Sequence, residues 1–148
     1  MTTEEILYDM TSRDTHLVWK SSCEIVDLGQ EKEAILPLLP YLNEIETQTK
    51  GLAMGGALAS NQRFVDAALH TLRFHRDSSN CPCALFGIHE CIDPNKQAAK
   101  GYLKINTVVK LEGNWVDYYE AECTRCQQKF KILEREGHYM WWAWERVG

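Results

Sequence analysis

Two short cysteine pairs constrain the fold of this chain more than any other feature of its sequence. The first pair is Cys81-Pro82-Cys83 and the second is Cys123-Thr124-Arg125-Cys126. Two such pairs can bring four thiolates to one point, and a structural zinc site is a tetrahedron of ligands with each sulfur about 2.3 Å from the ion. The sequence therefore predicts a Zn2+ ion held by Cys81, Cys83, Cys123 and Cys126.

The predicted role of this zinc is structural. Four protein ligands fill the tetrahedron, so no position is left for an activated water, and we expect the ion to tie the strands to the helical half of the chain. The identity of one ligand is left open by the sequence, because Cys91 or His89 can take the place of Cys83. Otherwise Cys91 is expected to be a buried thiol, and Cys23 to be part of the core.

Residues 81–130 resemble the zinc-ribbon class. The segment CTRCQQKF stands where these proteins have a C-x-x-C pair followed by glycine and, three residues after that glycine, an aromatic residue. The departure is Gln127, which occupies the usual glycine position, so the turn after Cys126 is where a difference is expected.

The first half of the chain is predicted to be helical. A capping box of Thr11 and Asp14 precedes apolar residues that continue to Gly29. Pro37 and Pro40 divide the next segment into a short helical turn at 31–36 and a main helix at 38–49. A loop over residues 50–62 then leads into a third helix, for which Ser60 or Asn61 is the expected cap.

The second half changes to strand periodicity. Strand-like runs cover residues 102–112, 115–123, 129–136 and 138–147, and residues 91–101 are a loop or a short helix. Helices followed by strands favour an α+β fold, with about three helices packed on an antiparallel β-meander. We expect one compact domain over 1–148, with a helical part at 1–79 and a zinc-bound sheet at 80–148.

Composition and length narrow the class of protein. The 148 residues are 45% hydrophobic and 25% charged, which is typical of a folded chain. No apolar run reaches the roughly 20 residues that cross a bilayer, and the acidic N-terminus lacks a signal-peptide pattern. These features predict a cytoplasmic protein, in which close cysteines serve metal binding or redox chemistry rather than disulfides.

Negative charge is concentrated near the N-terminus. The formal net charge is −5 for the whole chain and −6 for residues 1–50 alone. Such an acidic surface attracts basic proteins and disfavours nucleic acid, although an acidic helix face is usually only solvated. The predicted partner-binding acidic residues are Glu24, Asp27, Glu31, Glu33, Glu44 and Glu46.

The run HYMWWAWERV at 138–147 is the most aromatic segment. As a strand it is apolar on both faces, so both faces are expected to be covered, by the zinc-bound module and by the helices. Trp142 and Trp144 are candidates for contacts with a partner, because tryptophan is frequent at interface hot spots.

No catalytic or nucleotide-binding motif occurs, and the prediction is a protein without enzymatic activity. In size, acidity and the joining of a helical half to a cysteine-rich aromatic half, the chain resembles bacterial immunity proteins. That resemblance implies that the acidic helices would neutralise a cognate toxin, for example a nuclease with a basic cleft. Two alternatives remain open: a zinc-ribbon accessory protein that contacts nucleic-acid phosphates through Arg125, Lys129 and Lys131, and a thiol redox or metal sensor.

Overall fold

The computed structural model describes residues 1–57 and 59–148; Leu58, in the predicted loop at 50–62, lies outside the described residues. The chain forms two compact units, Met1–Pro82 and Cys83–Gly148, named here the helical unit and the sheet unit. Helices fill the first, and a four-stranded antiparallel sheet forms most of the second, so the predicted α+β class is confirmed. The expectation of a single compact domain stays a prediction.

The described residues of the helical unit form five α-helices. They are α1 (Thr3–Thr11), α2 (Thr15–Asp27), α3 (Lys32–Ile35), α4 (Leu42–Thr49) and α5 (Gln62–Asp77), with a 3-10 helix at Leu36–Tyr41 between α3 and α4. The apolar stripes of these helices meet in one core, as amphipathic periodicity requires. Its fully buried members include Met10, Val18, Ile25, Ile35, Leu38, Ile45, Ala68 and Leu72.

Helix α1 was not predicted from the sequence, and its presence corrects the predicted capping box. The actual box joins Thr2 and Glu5, whose side chains each accept a bond from the other residue's backbone N–H. Asp14 alone caps α2, accepting from the amides of His16 and Leu17 at 3.0 Å. Thr11 is the last residue of α1 and donates its hydroxyl to its own helix, so the predicted Thr11–Asp14 box is wrong.

The segment containing the two prolines departs from the predicted helix at 38–49. Residues Leu36–Tyr41 form the 3-10 helix, with Pro37 near its start and Pro40 inside, and α4 begins only at Leu42. Pro40 has no N–H to donate to an α-helical ladder, which explains the later start. At α5, Asn61 holds the cap position without a side-chain capping bond, and donates instead to the carbonyl of Met54 at 3.4 Å.

The sheet unit is a β-meander preceded by a short helix, α6 (Pro94–Ala99). Its strands are β1 (Leu103–Lys110), β2 (Val116–Cys123), β3 (Lys129–Glu136) and β4 (Met140–Val147), hydrogen-bonded in chain order with antiparallel pairing. All four predicted strands are present. One face of the sheet carries the buried side chains Leu103, Tyr119, Ala121, Cys123, Phe130 and Ile132.

Strand β4 is less covered than the sequence predicts. None of its side chains is fully buried, and its last three residues are exposed, so the expectation that both faces are covered is wrong. β4 is the last strand of the sheet, so no further strand flanks it, and on its outer edge the amide of Trp142 donates to the carbonyl of Glu90 at 2.8 Å.

None of the helices in the described part of the chain combines the length and the apolar character that a membrane-spanning helix needs.

Candidate metal centre

The structure brings the four predicted cysteines together. The sulfur atoms of Cys81, Cys83, Cys123 and Cys126 all lie within 4.8 Å of one another. The Sγ atoms of Cys83 and Cys126 are 3.5 Å apart. Four sulfurs in a tetrahedron with metal–sulfur distances of about 2.3 Å stand roughly 3.8 Å from each other. The spacing of the cluster therefore fits one metal ion of the size of zinc.

Two tight turns position these thiols. Cys81 and Cys83 flank the start of a 3-10 turn, Pro82–Leu85. Cys123 is the last residue of β2, and Cys126 lies in the turn that leads to β3. In that turn the amide of Gln127 donates to the carbonyl of Cys123 at 3.0 Å, and the amide of Arg125 reaches the Cys123 sulfur at 3.4 Å. An N–H directed at a sulfur stabilises its thiolate, which is the form that binds metal.

Gln127 shows how the turn tolerates the missing glycine. Its backbone has a φ of 63°, in the left-handed region. Glycine adopts this conformation without a steric penalty, whereas a residue with a Cβ is strained there. Gln127 thus adopts the left-handed conformation that glycine favours, at a cost in local strain.

Contacts with the preceding loop hold the same turn in place. Thr124 donates from its amide to the carbonyl of Tyr102 at 3.1 Å, and from its hydroxyl to the carbonyl of Gly101 at 2.8 Å. The guanidinium carbon of Arg125 lies 4.7 Å from the centre of the Tyr102 ring, in a cation–π contact. The turn is therefore ordered by interactions that do not involve the sulfur atoms.

The four cysteines of the cluster differ in their exposure to solvent. Cys83 and Cys123 are buried at 1% and 0% exposure. Cys81 is half-buried, and Cys126 is exposed. A metal ion here would be bound by two buried cysteines and by Cys126, the most exposed residue of the four.

The remaining cysteines lie outside this cluster. Cys91 is exposed, so the expectation of a buried thiol is wrong. Its amide donates to Nδ1 of buried His89 at 3.0 Å, a contact that orders their loop. Cys23 is only half-buried on α2, and its predicted place in the core is corrected accordingly. The replacement of a cluster cysteine by Cys91 or His89 finds no support in this geometry.

Trp144 packs inside the sheet unit. Its ring stacks on Phe86 at 4.9 Å and meets the edge of Phe130 at 5.6 Å, and its indole N–H donates to the carbonyl of Ile92 at 3.0 Å. Trp142 donates its indole N–H to Glu134 at 2.9 Å. Both side chains are half-buried and have partners in their own unit, and their contact with another protein stays a prediction.

The six acidic candidates are not equivalent. Glu24 lies 3.8 Å from the N-terminal amine, and Glu46 accepts a hydrogen bond from Arg73 at 3.2 Å. The other four are exposed: Asp27, Glu31, Glu33 and Glu44. A role of this set in partner binding stays a prediction.

Each of the three cations named for nucleic-acid binding has a different neighbouring side chain. Arg125 rests on Tyr102, and the amine of Lys131 lies 4.4 Å from the centre of the Tyr118 ring. Lys129 is exposed, but it pairs in register with Glu122 across the sheet, as Lys131 does with Glu120. Adjacent carboxylates thus offset these positive charges, which disfavours a phosphate-binding surface.

One polar network was missed by sequence reasoning. The Tyr119 hydroxyl donates to Glu134 at 2.7 Å and accepts from the Asn95 amide at 3.1 Å, joining β2, β3 and α6. Burial, and after it the hydrogen bond to Glu134, raises the pKa of Tyr119 to about 12. Alternation along β2 places Tyr119 on the buried face, but no sequence signal pairs it with Glu134.

Comparison with known proteins gives no assignment beyond this geometry: no protein-family model, curated protein or solved structure matches the chain.

Proposed function

We propose that the four cysteines bind one structural Zn2+ ion. The observation that carries this proposal is the convergence of four thiols from two tight turns to within 4.8 Å. Four soft sulfur ligands favour zinc over magnesium or calcium, which prefer oxygen. A filled tetrahedron leaves no position for a substrate, so the ion would supply stability rather than chemistry.

Metal analysis of the purified protein tests this proposal. We expect about one zinc per chain by mass spectrometry of the elements, falling well below half in the variants Cys123→Ser and Cys126→Ser. Cys91→Ser is the matched control, because Cys91 is an exposed cysteine outside the cluster, and it should retain full zinc content. Purified protein without zinc that also fails to take up added Zn2+ while remaining folded would overturn the proposal.

We further propose that the chain is a non-catalytic protein-binding protein, specifically an immunity protein for a cognate toxin. The supporting observation is the distribution of charge: the helical unit carries a formal net charge of −5, equal to that of the whole chain, and the sheet unit is neutral. Exposed carboxylates at Glu31, Glu33 and Glu44 lie on or beside short helices of that unit. Charge of one sign on one unit increases the association rate with a basic partner.

Capture of a partner from the native host tests this second part. Immobilised protein should retain a basic protein at low salt, and a triple variant of Glu31, Glu33 and Glu44 to glutamine should retain several-fold less. Substituting Asp66 and Asp77, also exposed carboxylates, provides the matched control. Equal retention by both variants would contradict the acidic interface. Failure of the captured protein to lose a toxic activity in the complex would contradict the immunity assignment.

A thiol-based metal sensor is a second candidate function, favoured by the exposure of Cys126. An exposed thiolate in a zinc site can be attacked by an oxidant without unfolding of the protein. Zinc released by micromolar hydrogen peroxide from folded protein, and restored by a thiol reductant, would favour sensing. Release only upon denaturation would favour the structural role.

A further inference from the structure

Cys83 and Cys126, both in the sheet unit, form a close pair between two turns. Cys83 lies in the 3-10 turn Pro82–Leu85, and Cys126 lies in the turn between β2 and β3. Their Sγ atoms are 3.5 Å apart, although 43 residues separate the two cysteines along the chain. At this distance the two sulfur atoms are in direct contact.

Both turns are held by contacts that do not involve a sulfur atom. The backbone and side-chain contacts described above order the turn of Cys126. On the other side, the amide of Phe86 donates to the carbonyl of Cys83 at 3.1 Å. The ring of Phe86 is 1% exposed and packs against Trp144 at 4.9 Å and Phe130 at 5.6 Å. The two sulfurs are therefore expected to stay close when no metal ion joins them.

The two cysteines differ in their access to reagents. Cys126 is exposed, whereas Cys83 is 1% exposed. Oxidation of a cysteine depends on its exposure as well as on its thiolate character, so a small oxidant in solution meets Cys126 first. Cys83 has little contact with solvent, but it lies beside Cys126. The pair thus combines an accessible thiol with a neighbouring thiol that can react with its oxidised form.

We propose that hydrogen peroxide joins Cys83 and Cys126 in a reversible disulfide, an inference that rests on the proposed four-cysteine metal site. The Cys126 thiolate attacks one peroxide oxygen, the O–O bond breaks, and hydroxide leaves a sulfenic acid on Cys126. The Cys83 thiolate then attacks the Cys126 sulfur, and the S–O bond breaks with loss of a second hydroxide. Two thiolates, one peroxide and two protons give one disulfide and two waters: the sulfurs are oxidised and the peroxide is reduced.

This disulfide would link the same two turns that the metal ion would link. Formation of the bond removes two of the four thiolates, so the metal ion is released. A bond between Cys123 and Cys126 would instead lie within one turn and leave the two turns unconnected. A covalent link across 43 residues restricts the unfolded chain and favours the folded one. The oxidised protein is therefore expected to lose its metal ion without unfolding.

Peptide mapping of the full, zinc-loaded chain tests the proposal. The protein is treated with micromolar hydrogen peroxide, its remaining thiols are alkylated, and it is digested with trypsin and analysed by mass spectrometry. Cleavage after Arg125 separates Cys123 from Cys126, and fragmentation of the linked peptides distinguishes Cys83 from Cys81. We expect the Cys83–Cys126 disulfide to be the main linkage.

The control variant is Cys91→Ser, because Cys91 is also exposed but lies outside the cluster. It should form the same disulfide to the same extent as the parent chain. A main linkage between Cys123 and Cys126, or between Cys81 and Cys83, would overturn the proposal. Release of zinc without any disulfide would also overturn it.

Zinc content and folding are measured on the same samples. Oxidation should release nearly all of the zinc, circular dichroism should stay unchanged, and a thiol reductant with added Zn2+ should restore the starting protein. Loss of the folded signal on oxidation would overturn the proposal. If the protein never binds zinc but still forms the Cys83–Cys126 disulfide, the metal site fails and the redox pair stands. If zinc is bound and stays bound under peroxide, the metal site stands and the redox pair fails.

Discussion

The amide of Gln127 donates to the carbonyl of Cys123 at 3.0 Å while Gln127 itself has a left-handed backbone, with a φ of 63°. The turn that aims Cys123 and Cys126 at one point thus depends on a residue in a conformation that glycine adopts more readily. A left-handed residue with a Cβ costs about 1–2 kcal/mol, part of which glycine would recover.

Replacement of Gln127 by glycine should therefore stabilise the protein. We expect a gain of about 0.5–1 kcal/mol in the free energy of unfolding, because strain is removed and only part of the gain is lost to chain entropy. Urea denaturation of the zinc-loaded protein measures it. Gln127→Ala is the control: like the glycine variant it loses the side-chain bond to Thr124, but it keeps the strain, so a comparable gain in stability would contradict the explanation.

Tyr119 should make stability depend on pH in the alkaline range. Its pKa is about 12 in the folded protein against 10.0 as the reference, so its contribution is fully present below pH 10 and is lost as the pH rises towards 12. Tyr119→Phe should lower the free energy of unfolding by about 1–2 kcal/mol at pH 7. The difference from the parent chain should shrink between pH 10 and 12.

Denaturation curves at pH 7, 10 and 11.5 provide this measurement. Tyr8→Phe is the control, because Tyr8 is exposed and its substitution should have an effect below about 0.5 kcal/mol. If the free energies of unfolding of Tyr119→Phe and the parent differ by a constant amount from pH 7 to pH 11.5, the ionisation of Tyr119 is not coupled to the fold.

Trp144 should be a stability residue. Its alanine variant should lose about 2–3 kcal/mol in the free energy of unfolding, because the ring stacks on Phe86 and donates to Ile92; the loss is below the roughly 3–5 kcal/mol of a fully buried tryptophan, since Trp144 is half-buried. Trp115, 61% exposed, is the matched control, and its alanine variant should stay within about 0.5 kcal/mol of the parent. Thermal denaturation compares the two. A stable Trp144→Ala protein would show that the aromatic contact contributes little.

His75 should matter for stability, and His70 on the same helix should not. Nε2 of buried His75 lies 2.7 Å from the carbonyl of Gly29, so Nε2 carries the proton and donates. Phenylalanine at 75 would leave that buried carbonyl without its donor, at a cost of about 1–3 kcal/mol. His70 is exposed, and His70→Phe should cost less than about 0.5 kcal/mol. Urea denaturation of both variants measures the difference. Similar unfolding midpoints for His75→Phe and His70→Phe would refute the assigned hydrogen bond.

The alternation of apolar residues was sufficient to predict the sheet, and the spacing of the cysteines was sufficient to predict their cluster. The alternation from Leu103 onwards marks β1, and the C-x-x-C spacing identifies the turn between β2 and β3, because both signals are local in sequence. The Thr2–Glu5 capping box was also readable, but the acidic start obscured the apolar pair Ile6 and Met10 that makes α1 amphipathic.

Other features depend on contacts between distant residues. The exposure of Cys91 follows from a loop in which its amide meets His89, and the coverage of Trp144 follows from its stacking on Phe86. Neither pairing has a sequence period. The late start of α4 was predictable only in part. Pro40 signals a break in the helix, but it does not specify that the preceding residues form a 3-10 helix.

The strand order has a consequence for how the sheet unit assembles. Every strand pairs with its neighbour in the chain, so each hairpin closes a short loop. The contact between Cys83 and Cys126 instead spans 43 residues. Because loop-closure entropy grows with length, local hairpins are expected to form first. Metal capture would then be a late step that locks an already formed meander, and the rate of sheet formation should be nearly independent of zinc concentration.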